Sequence, residues 1–252
     1  MTERPKVLGV IPARLAAERL PGKPLRQLGG KPLVEWVARN AERSGVFDAL
    51  VVATDAQPVA DALREAGVRV VMTASDHQSG TSRVAEVAAQ PEFRDYGIVV
   101  NVQGDEPFLP RAAMQGAVEQ VVIGYDIGTA AVPVVGEDVQ SPDVVKVVLA
   151  ENGRALYFSR SPVPYSREGG PLRYWQHLGV YAFTPAALAR WMTLQPTAPE
   201  QAEQLEQLRP LGHGMTIGVA CLTETALPGI DTEEDLRRAE AYLAARGETF
   251  SG

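Results

Sequence analysis

The amino-acid sequence predicts an α/β fold built on a largely parallel sheet, and two observations carry that expectation. Short apolar runs alternate with amphipathic stretches through the first half of the chain, which is the pattern of βαβ units. The segment Ile98 to Val102 then reads as a strongly apolar central strand whose carboxyl end runs straight into Gln103-Gly104-Asp105-Glu106-Pro107.

The elements follow in order. Val7 to Ile11 reads as the first strand. Pro32 to Arg43 places Leu33, Val34, Trp36, Val37 and Ala41 at helical spacing and stops before Gly45, so it reads as the first helix. Ala49 to Ala53 and Val68 to Met72 are expected strands, separated by a helix over Val59 to Ala66 that Gly67 closes. A helix over Thr81 to Ala89 precedes the Ile98 strand. Asp126 to Val135 and Val144 to Leu149 are rich in β-branched residues, whereas Ser159 to Arg173 is rich in Pro, Gly and Arg and should be an irregular excursion, a lid or flap. Helices are expected near Pro185 to Met192 and Glu200 to Leu208, with a strand near Met215 to Ala220. A last helix starts at Thr232 with acidic residues in its first turn and runs to Ala245. No repeat or linker divides the chain, so residues 1–252 are expected to form a single domain.

Composition excludes several classes. The 252 residues are 45% hydrophobic and 22% charged, ordinary values for a folded protein. A formal net charge of −7 disfavours nucleic acid or an anionic membrane as partner, so any anionic ligand needs a local basic pocket or a metal. The single Cys221 rules out an internal disulfide and a cysteine zinc site. Neither a signal sequence nor a run long enough to span a membrane is present, and a cytoplasmic location is expected.

Three segments carry chemistry. The loop after the first strand holds Arg14, Arg19 and Lys23 within ten residues, a local reversal of sign in an acidic chain. It lies where ligands bind in α/β sheets, and Arg14 and Lys23 are suited to phosphate oxygens; a solvated basic loop, with Lys23 exposed, is the alternative. It is not a Walker loop, because the Gly-x-x-x-x-Gly-Lys-Ser/Thr spacing is absent. Asp105 and Glu106 follow the central strand as hard oxygen ligands suited to Mg²⁺, unless they merely cap the helix starting near Pro110. Asp231 is a further carboxylate; Thr232 can cap the last helix and Asp235 is better read as part of that cap.

These segments together resemble a family. Arg14 through Leu25, Asp76-His77-Gln78-Ser79-Gly80-Thr81, Asn101-Val102-Gln103-Gly104-Asp105-Glu106-Pro107, Val145-Lys146-Val147-Val148, Ala155 through Arg160, Gln176-His177-Leu178-Gly179-Val180-Tyr181, Gln204-Leu205-Glu206-Gln207-Leu208-Arg209 and Gly229-Ile230-Asp231-Thr232 are similar, in order, to the 3-deoxy-manno-octulosonate (Kdo) cytidylyltransferases. The resemblance implies a Rossmann-like nucleotidyltransferase fold with a central mixed, mostly parallel sheet and a small additional layer. It implies a sugar-binding and dimerisation region within about 126–215 and a homodimer. It implies transfer of CMP from CTP to Kdo with release of pyrophosphate, for lipopolysaccharide-type glycan synthesis. Arg14 and Lys23 would hold the triphosphate, Ser79, Gly80 and Gln103 would read cytidine, and Asp105 and Asp231 would carry Mg²⁺. Arg160, Arg167, His177, Glu206 and Gln207 would line the acidic-sugar pocket; taken alone, His177 reads as a hydrogen-bonded structural residue and Glu206-Gln207 as a solvated helix face. The chain departs from the family pattern at Glu18 and in a shortened segment from Pro164 to Pro171.

Three rivals differ in what they need. A cytidylyltransferase for a sialic acid or an amino-substituted Kdo shares the nucleotide end. A silent sugar-nucleotide binder should lack one of Lys23, Asp105 or Asp231, and all are present. A dinucleotide oxidoreductase should carry Gly-x-Gly-x-x-Gly after the first strand, which is absent.

Overall fold

The structure, a computed structural model, describes residues 4–15, 19–134, 136–169, 172–224, 226–227 and 229–246. Glu18, Gly170 and Pro171 lie outside the described residues. Along the chain run β1 (Val7–Pro12), β2 (Gln27–Leu28), β3 (Lys31–Pro32), α1 (Leu33–Ser44), β4 (Ala49–Thr54), α2 (Gln57–Glu65), β5 (Val70–Met72), α3 (Gly80–Ala89) and β6 (Ile98–Val102). There follow α4 (Arg111–Val122), β7 (Ile127–Val134), β8 (Lys146–Leu149), β9 (Ala155–Ser159), β10 (Tyr174–Phe183), α5 (Pro185–Met192), α6 (Ala198–Glu203), α7 (Leu208–Gly212), β11 (Ile217–Cys221) and α8 (Glu233–Arg246). The class is α/β, with a central mixed sheet and a small second sheet made by β2 and β3.

The chain divides into two compact units. The first holds residues 1–96, 101–109 and 227–252. In it β1 pairs β4 and β4 pairs β5, all parallel, as the apolar runs separated by helices require. Helix α1 buries Leu33, Val34, Trp36, Val37 and Ala41 on one face and stops where Gly45 takes a left-handed φ of 65°. A second cluster joins Leu20, Leu28, Leu33 and Trp36 to Ile230, Leu236, Ala239 and Leu243, so the loop after β1 and the segment before α8 share one apolar anchor.

The second unit holds residues 97–100 and 110–226. Its strands run in the order β11, β7, β10, β8, β9; β11 is parallel to β7 and the other pairs are antiparallel. Strand β7 is buried almost end to end because α4 lies against it. The approach is so close that a Cβ on Gly128 would stand 1.9 Å from the Ala117 carbonyl oxygen.

Two expectations fail here. The sequence reading does not find β10, whose first half, Tyr174-Trp175-Gln176-His177, is half-buried and carries no clean alternation. The helix expected over Glu200 to Leu208 is broken: Gln204 is left-handed at φ 53° and ψ 47°, and the carbonyls of Glu203 and Gln204 accept hydrogen bonds from Arg160 instead of continuing the helix. The excursion after Ser159 is irregular as expected, with neither helix nor strand from 160 to 169 or at 172–173.

Candidate active site

The residues expected to meet phosphate belong to the first unit. Gly22, left-handed at φ 68°, turns the chain into Lys23, and buried Leu20 and Leu28 pin the loop on either side. Lys23 Nζ donates to Asp105 Oδ2 at 2.7 Å and to Asp231 Oδ1 at 2.6 Å. Lys23 is therefore not the exposed residue its loop suggested; its side chain is 17% exposed. Burial disfavours its ammonium, but Asp105 and Asp231 outweigh that and hold its pKa above the usual lysine value. Arg19 donates to the other Asp231 oxygen at 2.7 Å. Asp105 sits in the turn after β6, and its carbonyl accepts the Ile230 N–H at 2.8 Å, which ties the two acidic segments together through the backbone.

The capping alternative for Asp231 is settled by Asp235. Thr232 Oγ1 accepts the Asp235 N–H, and the Asp235 carboxylate accepts from Thr232 N, Thr232 Oγ1 and Asp231 N, a reciprocal cap at the start of α8. Partial burial of Asp235 opposes ionisation, but these bonds and Arg238 prevail and lower its pKa. Asp231 keeps its carboxylate for Lys23 and Arg19.

Pro12, at the end of β1, is where the segments expected to read cytidine converge. A Cβ on Gly80 would lie 3.1 Å from the Pro12 ring, and one on Gly104 would lie 2.8 Å from the Pro12 carbonyl oxygen, so glycine at both positions permits close approach. Ser79 caps α3, accepting from Ser82 N at 3.2 Å, and so fixes the Ser79–Gly80 turn. His77 braces it from outside, with Nδ1 3.1 Å from Ser82 Oγ and Nε2 against Glu86. Gln103 follows β6 half-buried, and Arg14 stands exposed two residues beyond Pro12.

The other candidates belong to the second unit. His177 on β10 sits edge-on to Phe158 and against Tyr181. Thr129 Oγ1 spends its hydrogen on the Val180 carbonyl at 2.7 Å, so the 2.9 Å contact to His177 requires Nε2 to carry the proton. Nδ1 is then the ring's acceptor, and burial pushes the imidazole pKa down to about 3, keeping it neutral. Gln207 is buried and Glu206 half-buried in the turn leading into α7, so they are not a solvated helix face. Arg160 donates to the carbonyls of Glu203, Pro142 and Gln204, and Arg167 is exposed. The sequence reading missed Thr129, and a threonine inside a strand gives no signal of such a role. Arg209, part of the same motif, forms a bidentate pair with Glu200 and is structural.

Asp105 and Asp231 fit a hard divalent cation, because oxygens from two distant segments already converge on one positive group. Among the described residues no cluster of three or more His, Cys, Asp or Glu is arranged to hold a metal. Two carboxylates suit Mg²⁺, which commonly takes one or two from the protein and completes its shell with water and phosphate.

A lysine held between a carboxylate just after β6 and one just before α8 in an α/β fold fits a nucleotidyltransferase, and the cytidylyltransferase family model matches residues 8–217. A protein of Gemmatimonas aurantiaca named 3-deoxy-manno-octulosonate cytidylyltransferase is 54% identical over 243 residues, covering 94% of this chain and 93% of its own. One of the same name from Acaryochloris marina is 45% identical over 244 residues, covering 94% and 97%. The solved structure of CMP:2-keto-3-deoxy-manno-octonic acid synthetase complexed with CTP superposes with a TM-score of 0.89 at 36% identity, covering 96% of this chain and 99% of that one. This chain belongs to the 3-deoxy-manno-octulosonate cytidylyltransferase family.

Proposed function

We propose that the protein transfers CMP from CTP to Kdo, giving CMP-Kdo and pyrophosphate. The observation that carries this reading is Lys23 between Asp105 and Asp231, in a chain 54% identical to a protein named for that activity. CTP brings several negative charges and the sugar acid one more, so the reaction needs local cancellation of repulsion rather than a protein nucleophile. Arg14 and Lys23 take the triphosphate and stabilise the departing pyrophosphate. The Ser79–Gly80 turn and Gln103 receive the cytidine. In the second unit, Glu206, Gln207, Arg160 and Arg167 meet the acidic sugar, and Nδ1 of His177 accepts a sugar hydroxyl while the neutral ring leaves the sugar carboxylate to the arginines. Asp105 and Asp231 would hold Mg²⁺, which would supply Lewis-acid stabilisation of phosphate charge. The sugar hydroxyl attacks the α-phosphorus in line, without a covalent enzyme intermediate.

A homodimer and a cytoplasmic location belong to the same reading. Exposed Leu156 and Tyr157 on β9 offer apolar surface for a second copy, and among the described residues no helix is long and apolar enough to cross a membrane. Pyrophosphate release from CTP, measured with a panel of acidic sugars, tests the function. Release with Kdo and little with sialic acid or neutral hexose phosphates is expected. Turnover only with an amino-substituted Kdo would keep the reaction and replace the acceptor; CTP binding without turnover on any acidic sugar would leave a silent binder.

A further inference from the structure

A lysine is almost never fully buried without an acidic partner, because its ammonium must give up water. Lys146 on β8 is 0% exposed, and among the described residues its ammonium meets only backbone carbonyls: Ser141 at 2.8 Å, Val144 at 2.5 Å and Arg160 at 2.5 Å. Those three acceptors use all three of its hydrogens. Burial pushes its pKa below the ordinary lysine value, with Glu203 opposing and Arg160 adding to the effect. A methionine would fill the same space without that cost, so the charge has a task other than packing.

The task is visible in what the carbonyls belong to. Ser141 and Val144 form the loop that enters β8, and the His177 N–H donates to the neighbouring Val145 carbonyl at 2.8 Å. Arg160 directly follows β9 and holds the far side of the same knot: its N–H donates to the Glu203 carboxylate at 2.9 Å, and its guanidinium donates to the carbonyls of Glu203 at 2.8 Å and Pro142 at 2.9 Å. Ser159 Oγ donates to the other Glu203 oxygen at 2.6 Å. Glu203 leads through left-handed Gln204 directly into Glu206 and Gln207.

We propose that Lys146 is a positioning residue for the acidic-sugar end, fixing through Arg160 and Glu203 the backbone that presents His177, Glu206 and Gln207. The inference rests on the reading that these residues meet the sugar. It gives Arg160 a second duty, since the same guanidinium assigned to the sugar also closes the turn at Gln204.

The test is Lys146→Met in the full-length protein, with fold checked by circular dichroism. KM for the acidic sugar should rise about tenfold or more while KM for CTP stays within about twofold. Amide exchange should quicken at 141–145 and 203–207 and stay unchanged in the first unit. Glu203→Gln leaves Lys146 in place and should shift KM in the same direction. The double variant should lose less than the product of the singles, because both act on one knot. A folded Lys146→Met protein with unchanged sugar KM, or with CTP KM rising in parallel, overturns the proposal. If Lys146→Met does not fold, Glu203→Gln alone decides by the same split. If wild-type protein prefers another acidic sugar, KM is read for that one. If it turns over none, the functional reading falls, and unchanged exchange at 203–207 overturns this proposal on its own.

Discussion

Replacing Lys23 by Met removes the cation that bridges Asp105 and Asp231 while keeping a chain of similar length. Two consequences are separable. The carboxylate oxygens that faced Nζ at 2.7 and 2.6 Å are left facing each other. At about 5 Å and an effective dielectric of about 20, their repulsion is about 3 kcal/mol, and some of it is relieved by uptake of a proton or a cation. A melting temperature lower by several degrees is therefore expected, less so in buffer containing Mg²⁺. The second consequence is catalytic, because the variant leaves Asp105 without its lysine and Asp231 with Arg19 alone, and presents no lysine to the leaving pyrophosphate. Loss of one well-aligned charge contact costs roughly 2–4 kcal/mol of transition-state stabilisation, or about 30- to 1,000-fold in kcat/KM. The assay is continuous pyrophosphate release with CTP and Kdo, run below the melting temperature of the variant. Near wild-type kcat/KM in a folded variant would refute the role given to Lys23.

Two further outcomes are expected. Asp105→Asn and Asp231→Asn should each raise the Mg²⁺ concentration for half-maximal rate; a change in melting temperature with no change in metal dependence would remove that residue from the metal's surroundings. His177 should make stability fall in acid. With its folded pKa at about 3 and an unfolded value near 6.5, the unfolded chain binds the extra proton between those limits, so the loss is negligible above about pH 7.5 and roughly 2–3 kcal/mol by pH 4.5. Urea unfolding of wild type and His177→Gln from pH 7 to 4.5 checks this, and parallel curves would contradict it.

The parts that could be read in sequence are those whose signal is local. Helix α1 announces itself through spacing and Gly45, and Thr232 with Asp235 announces a cap, which is why Asp231 could be set apart from it. Lys23, Asp105 and Asp231 could be singled out, but not their meeting, which depends on an apolar cluster drawn from both ends of the chain. Three features had no local signal at all. Gln204 takes a left-handed conformation without being glycine, Lys146 hides in a β-branched run, and Thr129 sets the tautomer of a histidine 48 positions away. Each owes its character to a partner remote in sequence, and periodicity carries no record of such partners.

The ion pair between Lys23 and Asp231 spans 208 positions. During synthesis, therefore, the loop after β1 emerges long before the carboxylate that completes it, and the apolar anchor of that loop lacks Ile230, Leu236 and Leu243 until the last helix is made. A nascent chain stopped at Leu227 holds Lys23 and Asp105 but neither the second acid nor the cover over Leu20 and Leu28. The ion pair and its apolar anchor therefore close together, only once residues 230–243 have been made.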